Sequence, residues 1–306
     1  MGRFVGGGEQ INGSLDSVVI YNARLSHDAL QSHYALATFS ANNLLANYQQ
    51  TVRNTPGVIH YWTMDNGSTE DIVGNMDHGH NTNTGTAVGR SLTPGSAIYF
   101  DSSQNAYSSW NDTLLTLPGT GTLELWVRPD SAPADRGYAF SARKIAGGTQ
   151  SDRLYVVSWD KGSGDELRFG FGDNADAGKI TDVEGRLGEW IYVALTWEDT
   201  GTGVDVRTYF SDETGLIQAG GTDLGNGGFA PQDALMRLGQ YSGGGQLFDG
   251  AVDEVAFYSR VLSTSEMQMH YMAMVPEPAT LTMLVLGGAL VGLLTRRRRR
   301  ALTPGS

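Results

Sequence analysis

GAVDEVAFYSRVLSTSEMQMHY, residues 250–271, decides how the chain is read, because a second version stands near its start: GSLDSVVIYNARLSHDALQSHY, residues 13–34. The two align without a gap. Gly13, Asp16, Val18, Tyr21, Leu25, Ser26, Gln31, His33 and Tyr34 match Gly250, Asp253, Val255, Tyr258, Leu262, Ser263, Gln268, His270 and Tyr271. Agreement at so many positions marks an internal repeat. Within the unit, residues 252–258 mix β-branched and aromatic side chains, with Val255 and Phe257 as an apolar row beside Asp253 and Glu254. That pattern predicts a strand packed on one face. Ser263-Thr264-Ser265-Glu266 then reads as a capping box, predicting a short helix with Met267 and Tyr271 on one side. A strand and one short helix cannot bury their own apolar faces, so each copy closes a larger domain. The first copy, 1–37, is expected to be the end of an upstream module.

Composition narrows the class. Forty-one glycines and only 18% charged residues suit short strands and tight turns better than helical bundles. The absence of cysteine excludes disulfides, thiolate metal sites and a cysteine nucleophile. A net charge of −12, held down by a basic run confined to the tail, argues against binding a nucleic-acid backbone. Residues 38–56 read as a linker, with a short helix expected over 42–52 and a stop at Asn54-Thr55-Pro56-Gly57.

Residues 57–273 form a succession of strand-like runs separated by turns: 58–65, 97–101, 122–128, 137–144, 153–159, 166–171, 190–197, 204–211 and 235–240, before the closing strand. No βαβ alternation is visible, so an all-β, two-sheet antiparallel sandwich is expected and not a parallel sheet. The run WIYVALTW, 190–197, is the most continuously apolar and is expected at the centre of the core.

The order of these segments resembles the laminin-G-like jelly roll of the concanavalin A-like superfamily. His60-Tyr61-Trp62-Thr63-Met64-Asp65 is similar to that family's YW-x-L-D opening, and 71–79 (DIVGNMDHG) to its D-x-x-G-N-x-x-x-G loop. Residues 97–101 resemble A-L-x-F-D, 122–129 resemble T-x-x-x-W-V-x-P, and 188–194 resemble G-x-W-x-H-V-A with Tyr192 in place of the histidine. The stretch 249–263 is similar to G-x-I-D-E-V-x-I-Y-x-x-x-L-S. The resemblance implies a structural Ca2+ joining the first and last strands, with Asp65 and Asp253 as its carboxylates and Asn66 where many relatives carry glutamate.

The tail is a separate signal. Val275, Pro276, Glu277 and Pro278 precede an uncharged apolar run, 279–295, and then Arg296, Arg297, Arg298, Arg299 and Arg300. The run is of minimal membrane-spanning length, and the arginines predict a single transmembrane helix with its C-terminus in the cytoplasm. This three-part pattern, 274–300 with a short tail 301–306, resembles the PEP-CTERM sorting signal. It implies an exosortase-type enzyme as partner, a transient inner-membrane anchor, and delivery to the cell surface or extracellular matrix of a Gram-negative bacterium.

Candidate chemistry is sparse. His78 and His80 beside Asp77 lack a third ligand. His33 and His270 read as helix-end residues, where a cation suits the dipole. Glu124 stands alone, and Asp253 and Glu254 are adjacent, so alternation sends them to opposite faces. No carboxylate pair spaced for glycoside hydrolysis and no nucleophile motif is present, so no catalytic residue is assigned. Tyr107, Trp110, Trp159 and Tyr241 are the aromatic residues nearest loops, but no ligand-binding residue is assigned. The expectation is adhesion, or binding of an extracellular polysaccharide or surface protein, without catalysis. A polysaccharide-active enzyme, or its substrate-binding accessory fragment, is the alternative.

Overall fold

The computed structural model describes residues 41–274, apart from 75, 145–152, 163, 172–173, 213–214 and 225–231. The chain divides into two compact units, Met1–Ser40 and Ala41–Ser306. The first repeat copy and the sorting tail lie outside the described residues.

Alternating apolar and polar side chains build two antiparallel sheets. One consists of β1 (Val58–Trp62), β3 (Gly85–Ala87), β4 (Ala97–Phe100), β6 (Gly121–Pro129), β11 (Ile191–Asp199), β12 (Val204–Asp212), β13 (Gly215–Leu224) and β15 (Gly250–Tyr258). Its order is β13-β12-β11-β6-β15-β4-β3, with β1 also paired to β15. The other runs β10-β9-β8-β7-β14-β5-β2. Its strands are β2 (His80–Thr82), β5 (Tyr107–Leu117), β7 (Arg136–Lys144), β8 (Arg153–Asp160), β9 (Glu166–Phe171), β10 (Asn174–Thr181) and β14 (Gln232–Leu238). The mostly-β sandwich expected from the sequence is therefore present. The opening and closing strands pair directly, Tyr61 opposite Ala256 and Trp62 opposite Val255.

Between the sheets lies the main core. Leu123, Leu125 and Val127 of β6 and Val252, Val255 and Phe257 of β15 meet Trp110, Phe140, Trp159 and Phe169 from the facing sheet. A second core covers the opposite face of the eight-stranded sheet. Here α1 (Ala41–Asn54) and α2 (Thr264–Met274) lay Tyr48, Val52, Met267 and Met274 over Tyr61, Trp126, Tyr192, Ala256 and Tyr258. The capping box forms as expected: the Ser263 amide donates to Glu266 Oε2 at 2.9 Å, and the Glu266 amide donates to Ser263 Oγ at 3.3 Å.

This roof corrects one expectation. β15 is not packed on a single face; all nine of its residues are buried. Its entry needs glycine, since a Cβ on Gly250 would lie 2.1 Å from the Arg128 carbonyl oxygen. The strand 191–197 is buried throughout and supplies Ile191, Val193, Leu195 and Trp197 to the main core from its place beside β6.

Candidate functional site

The roofed face holds two groups of carboxylates. The first is made by an irregularity in β15. Its register on β6 shifts between Asp253, opposite Trp126, and Ala256, opposite Glu124, and Glu254 adopts φ 54°. This β-bulge inserts one residue between Val252 and Val255, both of which face the main core. Asp253 and Glu254 therefore share the roofed side instead of splitting across the sheet as alternation predicts.

Asp65 follows β1 in a tight turn between Met64 (φ 61°) and Asn66 (φ 55°). The Gln49 amide of α1 ties it to the bulge, with Nε2 donating to Asp65 Oδ2 at 2.9 Å and to Glu254 Oε1 at 3.1 Å. Tyr61 Oη also donates to Glu254 Oε2. Asp253 Oδ2 accepts from the Arg90 amide at 3.2 Å, while its Oδ1 is buried with no hydrogen-bond partner. Burial pushes the Asp253 carboxyl well above its ordinary range, with the charge of Asp65 adding to the rise. Burial does the same to Glu254, followed by repulsion from Asp253, against which the Tyr61 and Gln49 hydrogen bonds pull. Among the described residues no three His, Asp or Glu side chains are grouped so as to hold a metal by themselves. The donors nevertheless suit a hard cation that takes carboxylate oxygens together with backbone oxygen and water, and the orphaned Asp253 Oδ1 is an oxygen such an ion would satisfy.

The second group centres on Glu124, which β6 points into the roof. Glu124 is fully buried and accepts from Tyr192 Oη, from Tyr258 Oη at 2.8 Å and from His270 Nδ1 at 2.9 Å. The other ring nitrogen, His270 Nε2, lies 2.8 Å from Thr55 Oγ1. The Thr55 hydroxyl also lies 2.9 Å from the Thr51 carbonyl, and when its proton goes there Nε2 donates to Oγ1. That arrangement, with the Glu124 carboxylate at Nδ1, favours the imidazolium form of His270. Burial draws its pKa down, but the Glu124 carboxylate outweighs this and the net shift is upward. Glu124 is raised by burial and lowered more by His270, Tyr192 and Tyr258, so it stays ionised. Threonine, histidine and glutamate stand in the order of a catalytic triad, yet an imidazolium with both nitrogens engaged cannot take a proton from the hydroxyl. The arrangement is a neutral, internally satisfied pair. His270 is therefore a buried ionic partner of the sheet, not the helix-end cation read from the sequence.

The outward face of the seven-stranded sheet carries no helix in the described structure. Arg237 of β14 stands opposite Ser109 of β5 and Ser141 of β7, so all three point outward. Further along, Arg136 pairs with Asp160, Arg168 reaches Asp160 and Glu166, and Lys179 donates to Glu166 at 2.8 Å, a ladder of alternating charge. Tyr107 lies under the Arg237 guanidinium, 5.3 Å from ring centroid to Cζ, and Tyr241 packs on Tyr138 at 5.1 Å between centroids. Trp110 and Trp159 are core residues.

The model of the concanavalin A-like lectin/glucanases superfamily matches residues 101–268. The chain belongs to this superfamily. The PEP-CTERM protein-sorting motif matches residues 275–300, which marks this concanavalin A-like chain for export. Among curated protein sequences none matches it. Among solved structures, Trypanosoma rangeli sialidase in complex with sialic acid superposes with a TM-score of 0.51 and 14% identity, over 82% of this chain and 40% of the sialidase. A mutant of the same sialidase displaying trans-sialidase activity gives 0.50 and 16%, over 81% and 40%. Domain 4 of AbnA, a GH43 extracellular arabinanase from Geobacillus stearothermophilus, in complex with arabinotriose, gives 0.43 and 18%, over 70% of this chain and 98% of that domain. The chain spans about two fifths of the length of the sialidases, and the likeness to them is one of fold.

The structure brings Asp65 to the same bulge as Asp253 through Gln49 and Glu254, neither of which the sequence reading assigned to the site. Val275, Pro276, Glu277, Pro278 and the arginines 296–300 lie outside the described residues. Among the described residues no helix is long and apolar enough to cross a membrane.

Proposed function

We propose that this exported concanavalin A-like module binds a glycan or a surface protein outside the cell without catalysing a reaction. The supporting observation is where the carboxylates sit. Glu124, Asp253 and Glu254, those in the most perturbed environments, are fully buried under α1 and α2, where no polysaccharide reaches them. On the open face Asp160 and Glu166 are held in ion pairs with arginine and lysine, and the Lys179 and Arg168 hydrogen bonds lower the Glu166 pKa, which suits it poorly to act as a general acid. In this reading Asp65 and Asp253 hold a structural Ca2+ that clips the turn after β1 to the bulge of β15, and supplies no chemistry. The sorting motif implies processing by an exosortase, which would deliver the module to the surface or matrix.

The test is a glycan array probed with the full chain in mild detergent, with and without a calcium chelator, beside a reducing-sugar assay on the same polysaccharides. Saccharide-selective binding with no sugar release is expected. Release of reducing ends would overturn the non-catalytic reading, and a blank array would leave protein adhesion as the function. Calcium is expected to raise the thermal midpoint of the wild type and not that of Asp253→Asn; equal response of the two removes the cation from the account.

A further inference from the structure

Two arginines on the open face stand apart from the charge ladder beside them. Arg143 of β7 makes no ion pair with a described carboxylate. Its guanidinium lies beside the loop after β14, where a Cβ on Gly243 would sit 3.3 Å from Arg143 Nη1 and 2.6 Å from the ring of Tyr241. Arg237 has no acidic partner among the described residues either. Its Nη1 donates to Gln240 Oε1, its guanidinium rests on Tyr107, and its Nε is buried with no hydrogen-bond partner. A buried, unpartnered N–H on a cation is costly unless something supplies an acceptor. Among the described residues, two guanidinia on one sheet face thus have no carboxylate partner in a chain of net charge −12.

We propose that this face takes a carboxylated polysaccharide, a uronic-acid-bearing glycan, with Arg143 and Arg237 receiving its carboxylates. The proposal deepens the glycan-binding reading and rests on it. A planar guanidinium matches a carboxylate in a two-pronged contact. Tyr107 lies under the Arg237 guanidinium and Tyr241 beside that of Arg143, so each cation sits against an aromatic ring. Arg237 is laid flat on Tyr107 instead of projecting, which suits a ligand that descends onto the sheet and not a membrane plane. The acidic body disfavours nucleic acid.

The experiment measures binding of the full chain, in detergent micelles with chelator present, to oligogalacturonate and to its carboxyl-reduced counterpart. Polyglutamate and double-stranded DNA serve as the other polyanions. Carboxyl reduction is expected to weaken binding at least about tenfold, and Arg143→Gln to do the same, as befits loss of a charged hydrogen bond. Because Arg237 packs on Tyr107, Arg237→Gln is read only alongside an unchanged thermal midpoint, and Arg143→Gln carries the test if it fails to fold. Equal affinity for the reduced glycan overturns this inference and leaves the glycan-binding reading intact. Equal affinity for polyglutamate or DNA overturns it in favour of generic polyanion attraction. Absence of binding to any saccharide overturns this inference together with the glycan part of the functional reading, leaving protein adhesion.

Discussion

The two sheets of the sandwich turn polar residues away from the shared core by the same alternation, yet the two outward faces use them in opposite ways. On the eight-stranded sheet the helices close over Glu124, Asp253, Glu254 and His270, all fully buried. There a charge is tolerated only with its partners fixed in place, and most of the hydrogen bonds are supplied by tyrosine hydroxyls and the Gln49 amide. On the seven-stranded sheet Arg136, Asp160, Arg168, Glu166 and Lys179 pair with one another, and Arg143 and Arg237 have no acidic partner among the described residues. The roof therefore decides the role of a charged residue: beneath it charges hold the fold together, and outside it they are available for contact.

The most severe way to break that contrast is to remove one member of the sealed pair. Glu124→Leu is expected to cost about 3–5 kcal/mol in urea unfolding, because it leaves the His270 imidazolium buried without its counter-charge. Glu124→Leu combined with His270→Leu should recover part of that loss but not all, since the hydroxyls of Tyr192 and Tyr258 lose their acceptor. A single-variant cost under about 1 kcal/mol would mean that the pair carries no more than a surface one.

Acidity probes the same pair without mutation. The folded-state pKa of His270 lies above its ordinary 6.5, so its contribution is complete below about pH 6.5 and is lost as pH rises through the raised value. That of Glu124 lies below its ordinary 4.5, so its contribution is complete above about pH 4.5 and is lost as pH falls through the lowered value. The groups facing His270 are the Tyr192 and Tyr258 phenols from the sheet, Tyr48 and Thr55 from α1 and its end, and Glu266 of α2, which is paired with Arg260. The pair should hold best between those two ordinary values, and its coupling energy, from a double-mutant cycle followed across pH, should peak there. A coupling energy that is flat from pH 4 to 8 contradicts the assignment of both charges.

Smaller effects sharpen the boundary of the roof. Glu266, at the start of α2, has its pKa lowered to about 2, chiefly by Arg260 and then by Ser263. Glu266→Ala is expected to cost about 1 kcal/mol in thermal unfolding, the usual worth of a helix cap. Arg143→Gln on the open face should change stability by no more than about 0.5 kcal/mol. Were it to match Glu124→Leu, the contrast between the two faces would collapse.

How much of this the sequence disclosed depends on the local pattern. The pairing of β1 with β15 was legible, because both strands are rich in aromatic and β-branched residues and carry the family's motifs. The bulge was not read, although its signal was present: Val252 and Val255 are three apart, and both can face the core only if the strand carries an extra residue. The Glu124–His270 pair was missed because Glu124 was weighed alone inside an apolar run and His270 was assigned to the helix end. A charged residue in the middle of TLELWV asks for a buried partner, and the repeat, which keeps a histidine at both 33 and 270, pointed to it. β2, β3, β5, β10 and β13 escaped because their sequences are polar or glycine-rich, and it is cross-strand hydrogen bonding that makes them strands.

Met274 ends α2 and is itself completely buried, and the sorting motif begins at the next residue. The chain thus passes from packed interior to export address with no leash between them. An enzyme cutting within the motif would work within a few residues of the last described turn of α2. That turn follows directly on His270, whose bond to Glu124 fastens the helix to the sheet, so the address begins where the sealed interior ends.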